Sequence, residues 1–296
     1  MIILKIVFSL IMFLSLFLNH LAFAASIISD CEELSVCPAT TKVNGPVSSF
    51  FSKVTGMNLL VSGILESQIK KQMDKALDAN FKIDIVPFGA KTLLNGEFKS
   101  FTAHSDYMNL EGLYLSNINA ESLCSYNHFV YKDNNIYTAE NFLLGFSADI
   151  TSSDLQKTLM TEEYQGLLNS MNVSVAGVTV LKVFNPIAKI EGNKLHFSVN
   201  VISPMTLGKT KTISTTMTML VDNGKIMFTD LQTSPKLVNT RMEAFLPLLN
   251  NLNPFTIKAA ILENKDSSVK IKKIDFVGDK IVIKGLVIVP KNYYNS

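Results

Sequence analysis

One device recurs in this chain and limits what it can fold into: an apolar residue, a short turn containing glycine, a lysine, then an apolar residue again. It reads Ile190-Glu191-Gly192-Asn193-Lys194-Leu195, then Val221-Asp222-Asn223-Gly224-Lys225-Ile226, then Val277-Gly278-Asp279-Lys280-Ile281. Gly, Asn and Asp tolerate the positive φ that tight hairpin turns require, and those turns have the twist that flanking strands need. Parallel strands need a long crossover instead. Three such units therefore commit the chain to antiparallel sheet.

Alternating runs surround these turns. Phe81, Ile83 and Ile85 alternate with Lys82 and Asp84 up to Pro87, the pattern of a half-buried strand. Further strands are expected over Gly96–His104, Met108–Leu115, Phe129–Tyr131, Val173–Phe184, Ala188–Ile190, Leu195–Ile202, Thr210–Val221, Lys225–Leu231 and Val269–Val289. Asn95-Gly96 and Glu111-Gly112 supply turns between the earlier ones.

Three helical patterns interrupt the strands. From Leu59 to Ala79, the residues Leu65, Ile69, Met73 and Leu77 recur every four positions, with Glu66, Lys70, Lys71, Asp74 and Lys75 on the other side. That is an amphipathic helix. A second opens at the capping residues Thr151-Ser152-Ser153-Asp154, buries Leu155 and Leu159, and extends toward Met171. A third covers Pro235 to Asn250 and is very apolar, with Leu237, Met242, Phe245, Leu246, Leu248 and Leu249. Helix-then-strands three times over, without a Pro- or Gly-rich linker, argues an α+β fold in which long curved antiparallel sheets wrap amphipathic helices.

The front of the chain reads differently. Lys5 precedes an uncharged apolar run from Ile6 to Leu18, and Ala22-Phe23-Ala24 forms a small-x-small site. That is the pattern of a secretory signal peptide over residues 1–24. An irregular arm is expected over 25–57, a single α+β domain over 58–290 and a short tail over 291–296. The mature protein is expected in the periplasm or cell envelope.

Charge excludes one class of partner. The formal net charge is +2 and Lys5 leaves with the signal, so there is no concentrated basic face for nucleic acid. Arg241 is the sole arginine, and the lysines are point charges rather than bidentate forks. Among three cysteines, two arrangements stay open. Cys31 and Cys37 close a small loop and leave Cys124 over, or all three are unpaired thiols.

Catalytic signatures are missing. The sequence has no H-E-x-x-H, G-x-S-x-G or G-x-G-x-x-G. Leu207-Gly208-Lys209-Thr210 lacks the earlier glycine of a phosphate loop, with Ser203 in its place, and reads as a strand-joining loop. His104 and Asp106, two apart, share a face if their strand is regular; the favoured reading is a solvated polar face. No enzymatic activity, cofactor or metal is expected. What stands out is apolar surplus: 47% hydrophobic residues, with 19 Phe and 12 Met.

Several local patterns also resemble a known family. They are Ile64-Leu65-Glu66-Ser67-Gln68-Ile69, Gly96-Glu97-Phe98-Lys99-Ser100-Phe101-Thr102-Ala103, Ala148-Asp149-Ile150-Thr151-Ser152-Ser153-Asp154-Leu155 and the Val221–Ile226 hairpin. Together, over roughly Leu59 to Pro290, they resemble the LmeA-like phospholipid-binding proteins of the bacterial envelope. The resemblance implies a tubular lipid-binding-like fold, with phospholipid or another acyl lipid as ligand and a membrane surface as a further partner. It carries over no catalytic residues. The apolar helix faces supply the candidate cavity lining: Leu65, Ile69, Met73, Leu155, Leu159, Phe245, Leu248 and Leu249. The competing reading is a structural or interaction protein of the envelope with a filled core.

Overall fold

The computed structural model describes residues 36–38, 57–110, 112–132, 135–170, 172–175, 178–202, 208–234 and 268–291. The signal peptide over 1–24, nearly all of the arm with Cys31, and the third helix with Phe245, Leu248 and Leu249 lie outside the described residues.

The described chain is broadly α+β and mainly β, in two antiparallel sheets. Helix α1 (Met57–Leu77) leads into β1 (Lys82–Pro87), and the short α2 (Ala90–Leu94) into β2 (Glu97–Leu110). Then follow β3 (Leu113–Ser122), β4 (Asn127–Lys132), β5 (Asn135–Thr138) and β6 (Phe142–Thr151). Helices α3 (Ser152–Leu159) and α4 (Glu162–Ser170) lead to β7 (Val173–Val175), β8 (Val178–Glu191), β9 (Lys194–Ile202), β10 (Lys211–Asp222) and β11 (Lys225–Ser234). The chain returns as β12 (Ser268–Val277) and β13 (Lys280–Val289). The larger sheet has the order β12-β13-β6-β3-β2-β4-β5, with β1 also paired to β2. The smaller one is a meander, β11-β10-β9-β8-β7.

The three turn devices join β8 to β9, β10 to β11 and β12 to β13. Gly192 and Asn193 have φ of 56° and 61°, Asn223 and Gly224 have 49° and 76°, and Gly278 has 65°. Both central residues of the first two turns are thus left-handed, the geometry whose twist suits a hairpin. Gly208, Lys209 and Thr210 are a turn and irregular chain just ahead of β10; Ser203 and Leu207 lie outside the described residues.

Four expectations are corrected. Phe142–Thr151 is a strand where none was expected, and its Ala148, Asp149 and Ile150 pair with Ile283, Val282 and Ile281. The strand hides from a period-two reading because both its faces are covered. Phe142, Ala148 and Ile150 enter the main core, while Leu143 packs with Cys124 and Leu286 on the opposite side. The second helix is two, broken after Leu159, where the Thr161 hydroxyl donates to the Thr158 carbonyl at 2.8 Å. Val173–Phe184 contains a hairpin, Val175 pairing with Val178. Finally, Gly96–His104 and Met108–Leu115 merge into the single long β2, which turns at Gly112 into β3.

Two helices cover strand edges that have no strand partner among the described residues. An open edge displays unpaired N–H and C=O groups. On the edge of β1 away from β2, the Phe81 amide donates to Asp74 Oδ1 at 2.7 Å and the Ile85 amide to Glu66 Oε1 at 3.1 Å, both on α1. Helix α3 does the same for both sheets. Its Thr158 Oγ1 accepts from the Tyr114 amide of β3, while Ser152 Oγ and Gln156 Oε1 accept from the Ile190 and Ala188 amides of β8. A capping box fixes where α3 starts: the Thr151 amide donates to Asp154 Oδ2, and the Asp154 amide donates to Thr151 Oγ1. Around this joint a single apolar cluster runs from Ile69, Phe98 and Ile150 of one part to Ile190, Met217 and Ile226 of the other. The rings of Phe98, Phe129 and Phe142 stack edge-on within it, 4.8 to 6.4 Å apart.

The cost of covering β1 falls on Glu66. Burial is the larger cause raising its pKa above 4.5, the nearby Asp84 carboxylate adds to it, and the Ile85 amide opposes it. A raised folded pKa means stability that is present below the unfolded pKa and lost as pH rises through the folded one. Glu66→Gln keeps an oxygen acceptor for Ile85 without the charge. The variant is expected to melt above the parent at pH 7, and the gap should close as pH falls below the carboxylate range. Thermal melts at pH 7 and pH 3 check this, and an unchanged gap would remove ionisation as the cause.

Candidate functional site

The apolar candidates come together in part. Ile69 and Leu155 are buried in the main core, and Leu65, Met73 and Leu159 pack half-buried against the same cluster. The first two are closed in by their neighbours. The other three lie at its margin, half-buried. Phe245, Leu248 and Leu249 lie outside the described residues.

Beside α1, across β1, lies a feature that the alternating pattern did not single out. A shallow open groove of about 300 Å³ crosses β1, β2 and β3 on the face away from the core. Strand register builds it as two rows. Lys82 stands opposite His104, and His104 opposite Asn119. Two residues along each strand, Asp84 stands opposite Thr102, and Thr102 opposite Glu121. The chain of Ile83, Ala103 and Ala120 forms the floor. The sequence signal was there, since Lys82 and Asp84 alternate with buried neighbours, but register alone aligns them with the other two strands.

The groove's upper row is held in a polar chain. His104 Nδ1 lies 2.9 Å from Asn119 Oδ1, and its Nε2 lies 3.3 Å from Asp106 Oδ1. The expected sharing of a face by His104 and Asp106 is therefore met. Asn119 donates onward to the Asn117 carbonyl, Asn117 donates to Asp149 Oδ2, and Lys280 closes the chain on Asp149 at 2.6 Å. Asn117 has φ of 49°, and the pairing between β3 and β6 slips there. That bulge is what turns the two asparagines toward each other.

His128 and His196 place a ring nitrogen on a backbone carbonyl, of Asn95 and Glu191 respectively. Neither stands beside a nucleophile in a described hydrogen bond. Among the described residues no group of three or more His, Cys, Asp or Glu could hold a metal ion. No described helix is long and apolar enough to cross a membrane.

The cysteine pairing is corrected. Cys37 is bonded to Cys124, with Cα atoms 5.4 Å apart, and so is not available to Cys31. Proximity in sequence favoured the short loop. The fold instead packs Cys37 against Leu143, Leu286 and Cys124 on the outer side of the larger sheet, where the bond forms.

No known protein family, characterised protein or solved structure matches this chain. The likeness to the LmeA-like proteins rests on the local patterns quoted above.

Proposed function

We propose that this chain is a non-catalytic binder, and a candidate shuttle, of phospholipid or another acyl lipid in the bacterial cell envelope, built on the tubular lipid-binding plan. One juxtaposition supports the reading. Strand β1 lies between a groove carrying charges of both signs and helix α1, whose Leu65 and Met73 are only half covered. An amphiphile needs both surroundings side by side. Each methylene taken from water contributes about 0.8 kcal/mol, so one acyl chain supplies most of an affinity without any catalytic group. The Cys37–Cys124 bond suits an exported protein, because such bonds persist in oxidising compartments.

Lipid mass spectrometry on the full chain, exported by a bacterial host and purified without detergent, tests the reading. Near-stoichiometric phospholipid is expected. Met73→Lys, which sets a charge at the half-covered margin, should lose at least nine-tenths of that lipid while keeping its circular dichroism and melting transition. Leu220→Lys, on an exposed position of β10, should retain it. A folded parent protein that carries no lipid would sink the proposal and favour a structural or interaction role.

A further inference from the structure

The groove beside β1 has a chemistry that a mere solvated face does not require. Lys82 and Asp84 point to the same side of β1, about 7 Å apart along the strand, and no described ion pair joins them. A cation and an anion thus face one trough, separated by a row-to-row step. Thr102 sits in the Asp84 row, between Asp84 and Glu121 and next to the Lys82 row, with a hydroxyl that donates or accepts. His104 flanks Lys82 with its ring braced by Asn119 and Asp106, and Glu121 flanks Thr102 at the far wall. A volume of about 300 Å³ is at the lower end of small-molecule sites.

We propose that this groove binds a small zwitterion of the phosphoethanolamine class, its phosphate on the Lys82 ammonium and the Thr102 hydroxyl and its ammonium on Asp84 and Glu121, with the braced His104 ring walling the phosphate end. For its biological ligand this rests on the lipid reading, because the groove adjoins α1; for the groove's own chemistry it does not. A simple anion satisfies only the Lys82 row and a simple cation only the Asp84 row. A primary ammonium donates three hydrogen bonds to carboxylates, and a quaternary one donates none. Ethanolamine is therefore selected over choline. A free phosphoethanolamine and a lipid headgroup share this chemistry.

The test is an amide-shift titration of the ¹⁵N-labelled full chain with glycerophosphoethanolamine. Saturable shifts are expected at residues 82–84, 102–104 and 119–121. Glycerophosphocholine, inorganic phosphate and ethanolamine should each bind at least about tenfold more weakly, as the loss of one charged hydrogen-bonding group predicts. Lys82→Gln and Asp84→Asn should each weaken binding by about the same factor. Both positions are exposed, and melting curves confirm that the variants fold. Absence of saturable shifts, or equal binding of phosphate alone with no effect of Asp84→Asn, overturns the assignment. Vesicles with and without phosphatidylethanolamine separate the two sources. Headgroup binding by a protein that carries no lipid keeps the groove and ends the lipid reading. Copurified lipid that is indifferent to both substitutions, with no headgroup binding, ends the groove and keeps the lipid.

Discussion

Cys37→Ser lowers the unfolding free energy by about 4.5 kcal/mol at 25 °C, the entropic cost of releasing a closed loop of this length. The bonded residues are 87 apart in sequence, so the unfolded chain gains much of its freedom when the link is cut. The folded side contributes little, because Cys124 stays among Leu143 and Leu286 as a small apolar group. Urea unfolding of the oxidised parent and the variant reads the difference. Reduction of the parent should reproduce it. Cys31→Ser is the decisive companion: with Cys37 bonded to Cys124, the variant should unfold at the parent's midpoint. If Cys31→Ser loses stability as Cys37→Ser does, the bond joins Cys31 to Cys37 and the long loop is wrong. The bond also fixes residues 36–38 against the larger sheet, where the Asn141 side chain donates to the Val36 carbonyl at 3.4 Å.

Gly96→Ala costs about 3 kcal/mol, more than the backbone conformation alone explains. Gly96 follows α2 with φ of 80°, and an L-residue there costs about 1–2 kcal/mol. A Cβ at this position would also stand 1.7 Å from the Phe129 carbonyl oxygen. That carbonyl cannot move freely, because the Phe129 amide donates to the Gly96 carbonyl at 2.9 Å and the Phe129 ring belongs to the aromatic cluster. Relief therefore loosens the start of β4 and a backbone hydrogen bond worth about 1 kcal/mol. Gly192→Ala is the control. Its φ is 56°, and a Cβ there meets nothing within 4 Å, so only the conformational part remains. Chemical denaturation of both variants gives the comparison, and equal losses would show that Phe129 yields without cost.

The two glycines show how far local reading reaches. Asn95-Gly96 was legible as a turn, and Glu191-Gly192-Asn193-Lys194 as a hairpin, because both depend on φ preferences of a few adjacent residues. That Phe129 closes on Gly96 was not legible, since the contact comes from a strand more than thirty positions on. The same division runs through the candidate site. Ile69 and Leu155 could be marked as inward-facing from helical spacing. Spacing could not tell closed core from accessible margin, which depends on what packs across from each residue. Nor could it find the groove, whose residues come from β1, β2 and β3 and meet only through register.

The sequence by itself determined the antiparallel character, the three hairpins, the first helix and the start of α3, because each is fixed by interactions within about ten residues: turn dihedrals, apolar periodicity and a capping box. Tertiary structure decided the rest. Strand β6 pairs with β13, roughly 130 or more positions later, and that pairing, with core on one side and Leu286 on the other, makes a strand of a segment with no alternation. The same long-range placement moves the partner of Cys37 from Cys31 to Cys124, sets α3 between two sheet edges and aligns Lys82 and Asp84 with His104 and Thr102. In each case the deciding partner is distant along the chain, and the free energy that selects it comes from burying surfaces and satisfying backbone groups that no local window contains.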